Sequence, residues 1–261
     1  MYYGLLSLAA KVPAAGYDSD AQAFFTAAGI TDNTQKSAVN QLVLDLKSYS
    51  IWTKMNAIYP FVGGTSTKHS YNLKNTAQYQ ITFYGGWTHS STGALSNGSN
   101  GYGNTGFNLN SSGSLNNQHI SYYSRTNSNG TEVEIGALSG SEQTLLEIRT
   151  SGTTYYVVNQ TNPYATAIDS DSRAFYIANR TASNVVNGWK NGSKVATSTS
   201  SSTALVNLNV YIGAYNNAGS AALYTTKECA FASIGYGLTD TEAANFYTAV
   251  QAFQTTLSRN V

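Results

Sequence analysis

The segments VNLNVYIG (206–213), YNNAGS (215–220), ECAFASIG (228–235) and LTDTEAANFYTAVQAFQTTL (238–257) read in turn as strand, loop, strand and helix. Val206 to Gly213 alternates apolar and polar residues, so one face is buried and the other wetted. Tyr215 to Ser220 is made of turn residues. Glu228 to Gly235 supplies a second strand, and Thr239 with Glu242 three residues on forms a capping box. The helix beyond it puts Ala243, Phe246, Tyr247, Val250, Phe253 and Leu257 on one side. Such a face must pack on something, and the sheet just formed is the nearest candidate.

Working backward, Asn191-Gly192 between Val185–Lys190 and Ser193–Ser198 is a hairpin signal. Further strands are expected at 68–73, 78–84, 119–124, 132–137, 144–149, 153–159 and 173–179, separated by turn clusters such as Asn127-Ser-Asn-Gly130. Repeated short strands of this kind make a sandwich or barrel. The stretch from Thr88 to Asn117, rich in Ser, Gly and Asn, reads as a long surface loop. Ahead of the strands the pattern is helical. Asp18 or Ser19 caps a helix from Asp20 to Ala28, ended by Gly29. Thr31 caps a second over Asn33–Tyr49, with Ala38, Val39, Leu42, Leu46 and Tyr49 as its stripe. A third is expected over Ile51–Tyr59, stopping before Pro60. The chain thus divides into residues 1–64, a leader and helical segment, and residues 65–261, a β domain with a C-terminal helix.

The hairpin WKNGSKV (189–195) and the closing segment resemble the concanavalin-A-like, laminin-G-type jelly roll over roughly residues 66 to 257. That resemblance implies a lectin-like β-sandwich, mainly β, with an N-terminal helical segment and a C-terminal helix. A second resemblance lies in residues 18–74, 85–105 (GGWTHSSTGALSNGSNGYGNT) and 121–137 (SYYSRTNSNGTEVEIGA). These are similar to a group of tailed-bacteriophage virion proteins in which a small helical segment precedes a lectin-like jelly roll. It implies a structural or fibre-associated protein that is assembled in the host cytoplasm, released by lysis and located in the virion. Residues 1–64 would then join other virion proteins, and a homo-oligomer is expected. Exposed apolar material at Tyr2-Tyr-Gly-Leu-Leu6 fits such an assembly role.

Composition narrows the function. Of 261 residues only 10% are charged, and the net charge is +1. No basic patch points to nucleic acid or an anionic membrane. Twenty tyrosines stand in for aliphatic core material. The N-terminus lacks a positive segment ahead of its apolar residues, and no stretch is long enough to span a membrane. Cys229, the only cysteine, sits in an apolar strand and is expected to be buried.

No catalytic set emerges. Lectin-like jelly rolls that hydrolyse glycans carry a Glu-x-Asp-x-(x)-Glu strand, and the nearest match here, Glu132-Val-Glu134-Ile-Gly136, lacks the Asp and the last Glu. Glu132 and Glu134 are read as a solvated strand face. Asp169-Ser-Asp171 offers oxygens suited to calcium but has no completing ligands, and His69, His89 and His119 show no ligand spacing. No metal and no cofactor are expected. Sugar binding needs aromatic faces beside amides or carboxylates. Trp87, His89 and Tyr102, in or beside the long polar stretch, and Tyr215, Asn216, Asn217 and Tyr224, around the loop after the Ile-Gly strand, are the candidates. Host-surface or mucin glycans are the corresponding partners. A non-enzymatic glycan-binding surface module is therefore expected, with a purely structural virion subunit as the alternative and a glycan hydrolase as the third reading.

Overall fold

The computed structural model describes residues 16–261. The leader segment Tyr2–Leu6 falls outside them. Along the chain run α1 (Ser19–Ala28), α2 (Asn33–Ser48), a 3-10 turn (Trp52–Lys54), β1 (Met55–Tyr59), α3 (Ser66–His69), β2 (Thr82–Tyr84), β3 (Trp87–Ser90), β4 (Gly93–Ser96), β5 (Tyr102–Asn108) and α4 (Leu109–Ser112). There follow β6 (Gln118–Ser124), β7 (Ile135–Ser139), β8 (Glu142–Thr150), β9 (Thr153–Val158), β10 (Ala165–Ile168), β11 (Ala174–Ala182), β12 (Val185–Lys190) and β13 (Ser193–Ser198). The last elements are β14 (Asn209–Ile212), β15 (Tyr215–Asn217), β16 (Ser220–Ala222), β17 (Cys229–Gly235) and α5 (Asp240–Thr256). No described helix is long and apolar enough to cross a membrane.

The strands form two sheets, so the expected mainly β sandwich with helices toward both ends is what the chain makes. Sheet A runs β13-β12-β11-β6-β17-β4-β3, with β1 also on β17. Sheet B runs β10-β9-β8-β7-β14-β5-β2 and carries the β15–β16 hairpin on β7. Pairing is antiparallel except between β15 and β7. Between the sheets lies a core of Ile120, Ile135, Leu146, Val158 and Ile234 filled out by Tyr59, Tyr122, Tyr156 and Tyr176. Three of these phenols find acceptors, Tyr59 Oη at the Tyr79 carbonyl, Tyr122 Oη at the Lys227 carbonyl and Tyr176 Oη at the Asp169 carboxylate, while Tyr156 Oη has no protein partner among the described residues. Tyrosine here is core material, as the composition suggested.

The outer face of sheet A is dry as well. Tyr123, Phe175, Ile177, Trp189 and Phe231 point away from the sandwich and meet α1, α2 and α5. Every residue of β6 and β17 is buried, as expected of central strands covered on both faces. Phe246 on α5 is 0% exposed and makes edge contacts with Phe175 and Phe231 at ring separations of 5.1 and 5.9 Å. The capping box is present: the Glu242 N–H donates to Thr239 Oγ1 and the Thr239 N–H to Glu242 Oε2. Near the chain's end, the buried Arg259 guanidinium donates to the carbonyls of Pro60, Phe61 and Ala230, tying the tail to β17 and to the segment after β1.

Four expectations are corrected. Ile51–Tyr59 is not a helix; after one 3-10 turn it becomes β1 and pairs with β17. Its apolar residues are buried on both faces, Ala57 and Tyr59 inward and Met55 and Ile58 toward the helices, a pattern whose period does not separate helix from strand. Residues 68–73 hold the end of α3 and a turn rather than a strand. The cap of α2 is Asp32, whose carboxylate accepts from the Gln35 N–H, not Thr31. Finally, the polar stretch from Thr88 to Asn117 is mostly β3, β4, β5 and α4. Its strands hide in small residues: Gly103, Thr105 and Phe107 of β5 face inward, and a Cβ on Gly103 would sit 2.6 Å from Ile81.

Residues 19–59 thus share one core cluster and one sheet with the rest of the chain. Replacing Phe246 by Ala removes a buried ring from that cluster and is expected to cost about 3–5 kcal/mol. Denaturant unfolding of the variant measures it; a change under about 1 kcal/mol would show α5 to be peripheral.

Candidate functional site

The helices leave one broad face of the sandwich uncovered, the outside of sheet B. Alternation along β8 sends Leu146 and Ile148 into the core and Gln143, Leu145 and Glu147 outward. On β9, Tyr156 and Val158 go in while Tyr155 and Val157 face out. Outward residues of a half-wetted sheet are usually polar, yet Val133, Leu145 and Val157 form a separate apolar cluster with Tyr155, Tyr164 and Tyr215 against it. Leu138 and Leu223 complete a groove of about 210 Å³ over this cluster.

Two polar side chains enter the groove. Gln143 Nε2 donates to Tyr164 Oη at 2.5 Å. Glu147 stands across the strand pair from Tyr155. Burial pushes the Glu147 carboxyl upward, opposed by Thr150 and Lys227. Burial also raises the Tyr215 phenol, with the Glu147 charge adding to it, so this hydroxyl keeps its proton. The Tyr155 and Tyr164 rings meet edge to face at 6.4 Å. The groove is thus an apolar floor walled by tyrosine rings, with a carboxylate and an amide set among them.

Of the residues picked from sequence, Tyr215 lines this groove. Asn217 is exposed at the tip of the β15–β16 hairpin. Asn216 is not available to a ligand: it is 3% exposed, its Nδ2 donates to the Asn209 carbonyl, and its Oδ1 accepts from the Gly219 N–H. Trp87 is an anchoring residue. Its Nε1 donates to the Tyr84 carbonyl, and its ring lies so close over Gly213 (φ 84°) that a Cβ there would approach within 2.5 Å. Tyr102 belongs to a cross-strand stack with Tyr84 and Tyr211, at ring separations of 4.9 and 4.7 Å. Tyr224 spends its hydroxyl on the Ala221 carbonyl. Gln143, Glu147, Tyr155 and Tyr164 were missed. Their signal was apolar and aromatic residues on both faces of β8 and β9.

The remaining titratable groups are engaged elsewhere. Glu132 and Glu134 are not a solvated strand face. They precede β7, and Glu134 is 0% exposed. Its carboxylate accepts from the Ile148 N–H at 2.6 Å, Thr225 Oγ1 at 2.9 Å and Lys227 Nζ at 3.1 Å, while Lys227 also reaches Glu132 at 3.0 Å. Burial alone would lower the Lys227 ammonium; Glu134 and Glu132 overcome that and hold it above its usual range. Asp169 accepts from Lys190, Tyr176 and Thr154, and Asp171 pairs with Arg173, so both are occupied by protein partners. Cys229 is buried, and burial raises its thiol.

His69 and His89, far apart in sequence, come together with Nδ1 atoms 3.0 Å apart. The Gly64 N–H donates to His69 Nε2, so the His69 proton resides on Nδ1 and is donated to His89. Burial, then His89 and Arg259, lowers His69 to about 3. Between about pH 6.5 and 3 the unfolded chain takes up this proton and the folded one does not, so this contribution to stability falls with acidification. His69→Gln should flatten the loss of unfolding free energy between about pH 6.5 and 5, by up to about 1.4 kcal/mol per pH unit. Denaturant melts of both proteins across that range measure it, and parallel slopes would contradict the assignment.

No family model and no curated protein matches this chain. Solved structures do. A Trypanosoma rangeli sialidase mutant displaying trans-sialidase activity is similar with a TM-score of 0.56 at 11% identity, over 82% of this chain and 39% of that one. The binding domain of botulinum neurotoxin serotype D is similar with a TM-score of 0.50 at 11% identity, over 76% of this chain and 52% of that one. The chain therefore spans about two fifths and about half of these two lengths. At such identities the likeness is one of fold, a β-sandwich.

Proposed function

We propose that this chain is a non-enzymatic glycan-binding module whose site is the groove on the open face of sheet B. One observation carries the reading: Tyr155, Tyr164 and Tyr215 wall an apolar depression that also holds Glu147 and Gln143. Sugar rings present C–H faces that lie on aromatic rings, and hydroxyls that bond to carboxylates and amides. An apolar pocket with a few converging polar groups is the usual form of a small-ligand site. One of the similar folds is a sialidase, a protein that acts on carbohydrate.

Hydrolysis is disfavoured by the carboxylates. Glycosidases need two, flanking the scissile bond. The groove lining holds Glu147 as its sole carboxylate, and Glu134 is locked beneath the surface by Lys227. A shallow site of this size binds weakly, with a dissociation constant on the order of 0.1–1 mM. Many copies on one particle would turn that into useful avidity. A virion surface supplies such copies, with residues 1–64 joining other virion proteins and the module facing host-surface or mucin glycans. This placement, and the homo-oligomer that goes with it, rests on the sequence resemblance and the uncharged Ser- and Asn-rich composition.

A purely structural subunit is the second reading, and a specific residue favours it. Ile168, on the edge strand β10, is 90% exposed, an apolar side chain on an unpaired strand edge. A glycan array probed with a multivalent form separates the readings. Binding is expected, reduced at least about tenfold by Tyr155→Ala or Tyr215→Ala, with melting temperature checked for each. Silence across the array, with β10 found against a neighbouring subunit, would support the structural reading. Release of reducing ends that is lost in Glu147→Gln would contradict the non-enzymatic one.

A further inference from the structure

We propose that the sheet-B groove selects uncharged sugars and turns away anionic ones. This deepens the glycan-binding reading and rests on it.

The inference comes from the charges and the hydrogen-bonding sense of the lining. Glu147 is the one ionisable group of ordinary pH among the polar residues of the groove, and no lysine or arginine lines it. The buried Lys227 ammonium is 0% exposed and its Nζ is held by Glu132 and Glu134 at 3.0 and 3.1 Å. Arg149, two residues beyond Glu147, lies outside the lining and donates from Nη1 to Asn127 Oδ1. A carboxylate or sulfate on an entering sugar would therefore meet the Glu147 carboxyl, which repels it when ionised, and no lysine or arginine in the lining to pair with. Glu147 is half-buried, so solvent screens that repulsion less than at an open surface.

Hydrogen bonding points the same way. An ionised carboxylate only accepts. Gln143 commits one Nε2–H to Tyr164, which leaves its Oε1 as an acceptor and the second N–H as a neutral donor. The one charged group of the groove thus asks for donors, which sugar hydroxyls are and ionised carboxylates are not. Anionic groups are ordinarily gripped by guanidinium forks, ammonium groups or backbone N–H nests. Here the donors left to them are neutral: phenol hydroxyls and the second Gln143 Nε2–H. Discrimination of this kind comes from a built-in repulsion as much as from attraction.

The test titrates the purified protein with pairs differing in charge: lactose against sialyllactose, and galactose oligomers against galacturonate oligomers of the same length. The neutral members are expected to bind about tenfold more tightly or better, equivalent to about 1.4 kcal/mol. Glu147→Gln should narrow the gap to roughly threefold or less, by raising affinity for the anionic members. Equal or tighter binding of the anionic members by the unaltered protein would overturn the inference while leaving glycan binding intact. So would a neutral preference that Glu147→Gln leaves unchanged. Failure of both members of every pair to bind a folded protein would overturn the glycan-binding reading, and the selectivity with it.

Discussion

The contact between Phe231 of β17 and the aromatic face of α5 organises the rest of the molecule. β17 lies in the middle of sheet A, with Ala232 and Ile234 facing the sandwich and Phe231 facing away from it. Burying a phenylalanine on that second face requires cover, and Phe246 and Phe253 provide it at ring separations of 5.9 and 6.2 Å. α2 packs beside α5, and the Arg259 guanidinium fastens the tail to Ala230. With its helices committed to sheet A, the chain has no described helix to lay over sheet B. The outer face of that sheet stays open, and its surplus apolar and tyrosine residues become a groove instead of a core.

The parts of this architecture that were legible in sequence are those specified by local chemistry. Thr239 and Glu242 mark a helix start because they satisfy each other's backbone N–H groups. Asn191 and Gly192 mark a hairpin because both take positive φ, 47° and 75°. Gly29 ends α1 for the same reason, at φ 63°. What was not legible depends on partners distant in the chain. Met55–Tyr59 becomes a strand because β17, far along the sequence, offers an edge. β4 and β5 looked like loop because glycine and serine carry no apolar signal, although close packing against Ile81 and Cys229 is what demands them.

The site was less legible than the fold. Sequence reasoning sought aromatics beside amides in loops, and that search reached Tyr215 but also Asn216, whose amide the turn consumes. The groove's other polar groups sit in mid-strand on β8, where Leu145 and Glu147 looked like an ordinary face. Nothing local shows that this face stays uncovered, since that follows from where the helices pack. The same reason hid the Glu134–Lys227 pair, whose members lie 93 residues apart, and the contact between His69 and His89. The readable hint was redundancy: β9 carries Tyr155 and Val157 on one face and Tyr156 and Val158 on the other. A strand apolar on both sides must be covered twice or be part of a site.

The account's central claim is that ligands meet this protein on the open face of sheet B. Amide and tyrosine-ring chemical shifts, recorded by NMR while a sugar that binds is titrated in, test it most directly. The account predicts that the perturbed resonances cluster on Tyr155, Tyr164, Tyr215 and the backbone around Glu147, with the helix-covered face unmoved. Perturbations centred on α1, α2 or α5, or on the anchored ring of Trp87 with the groove silent, would contradict it.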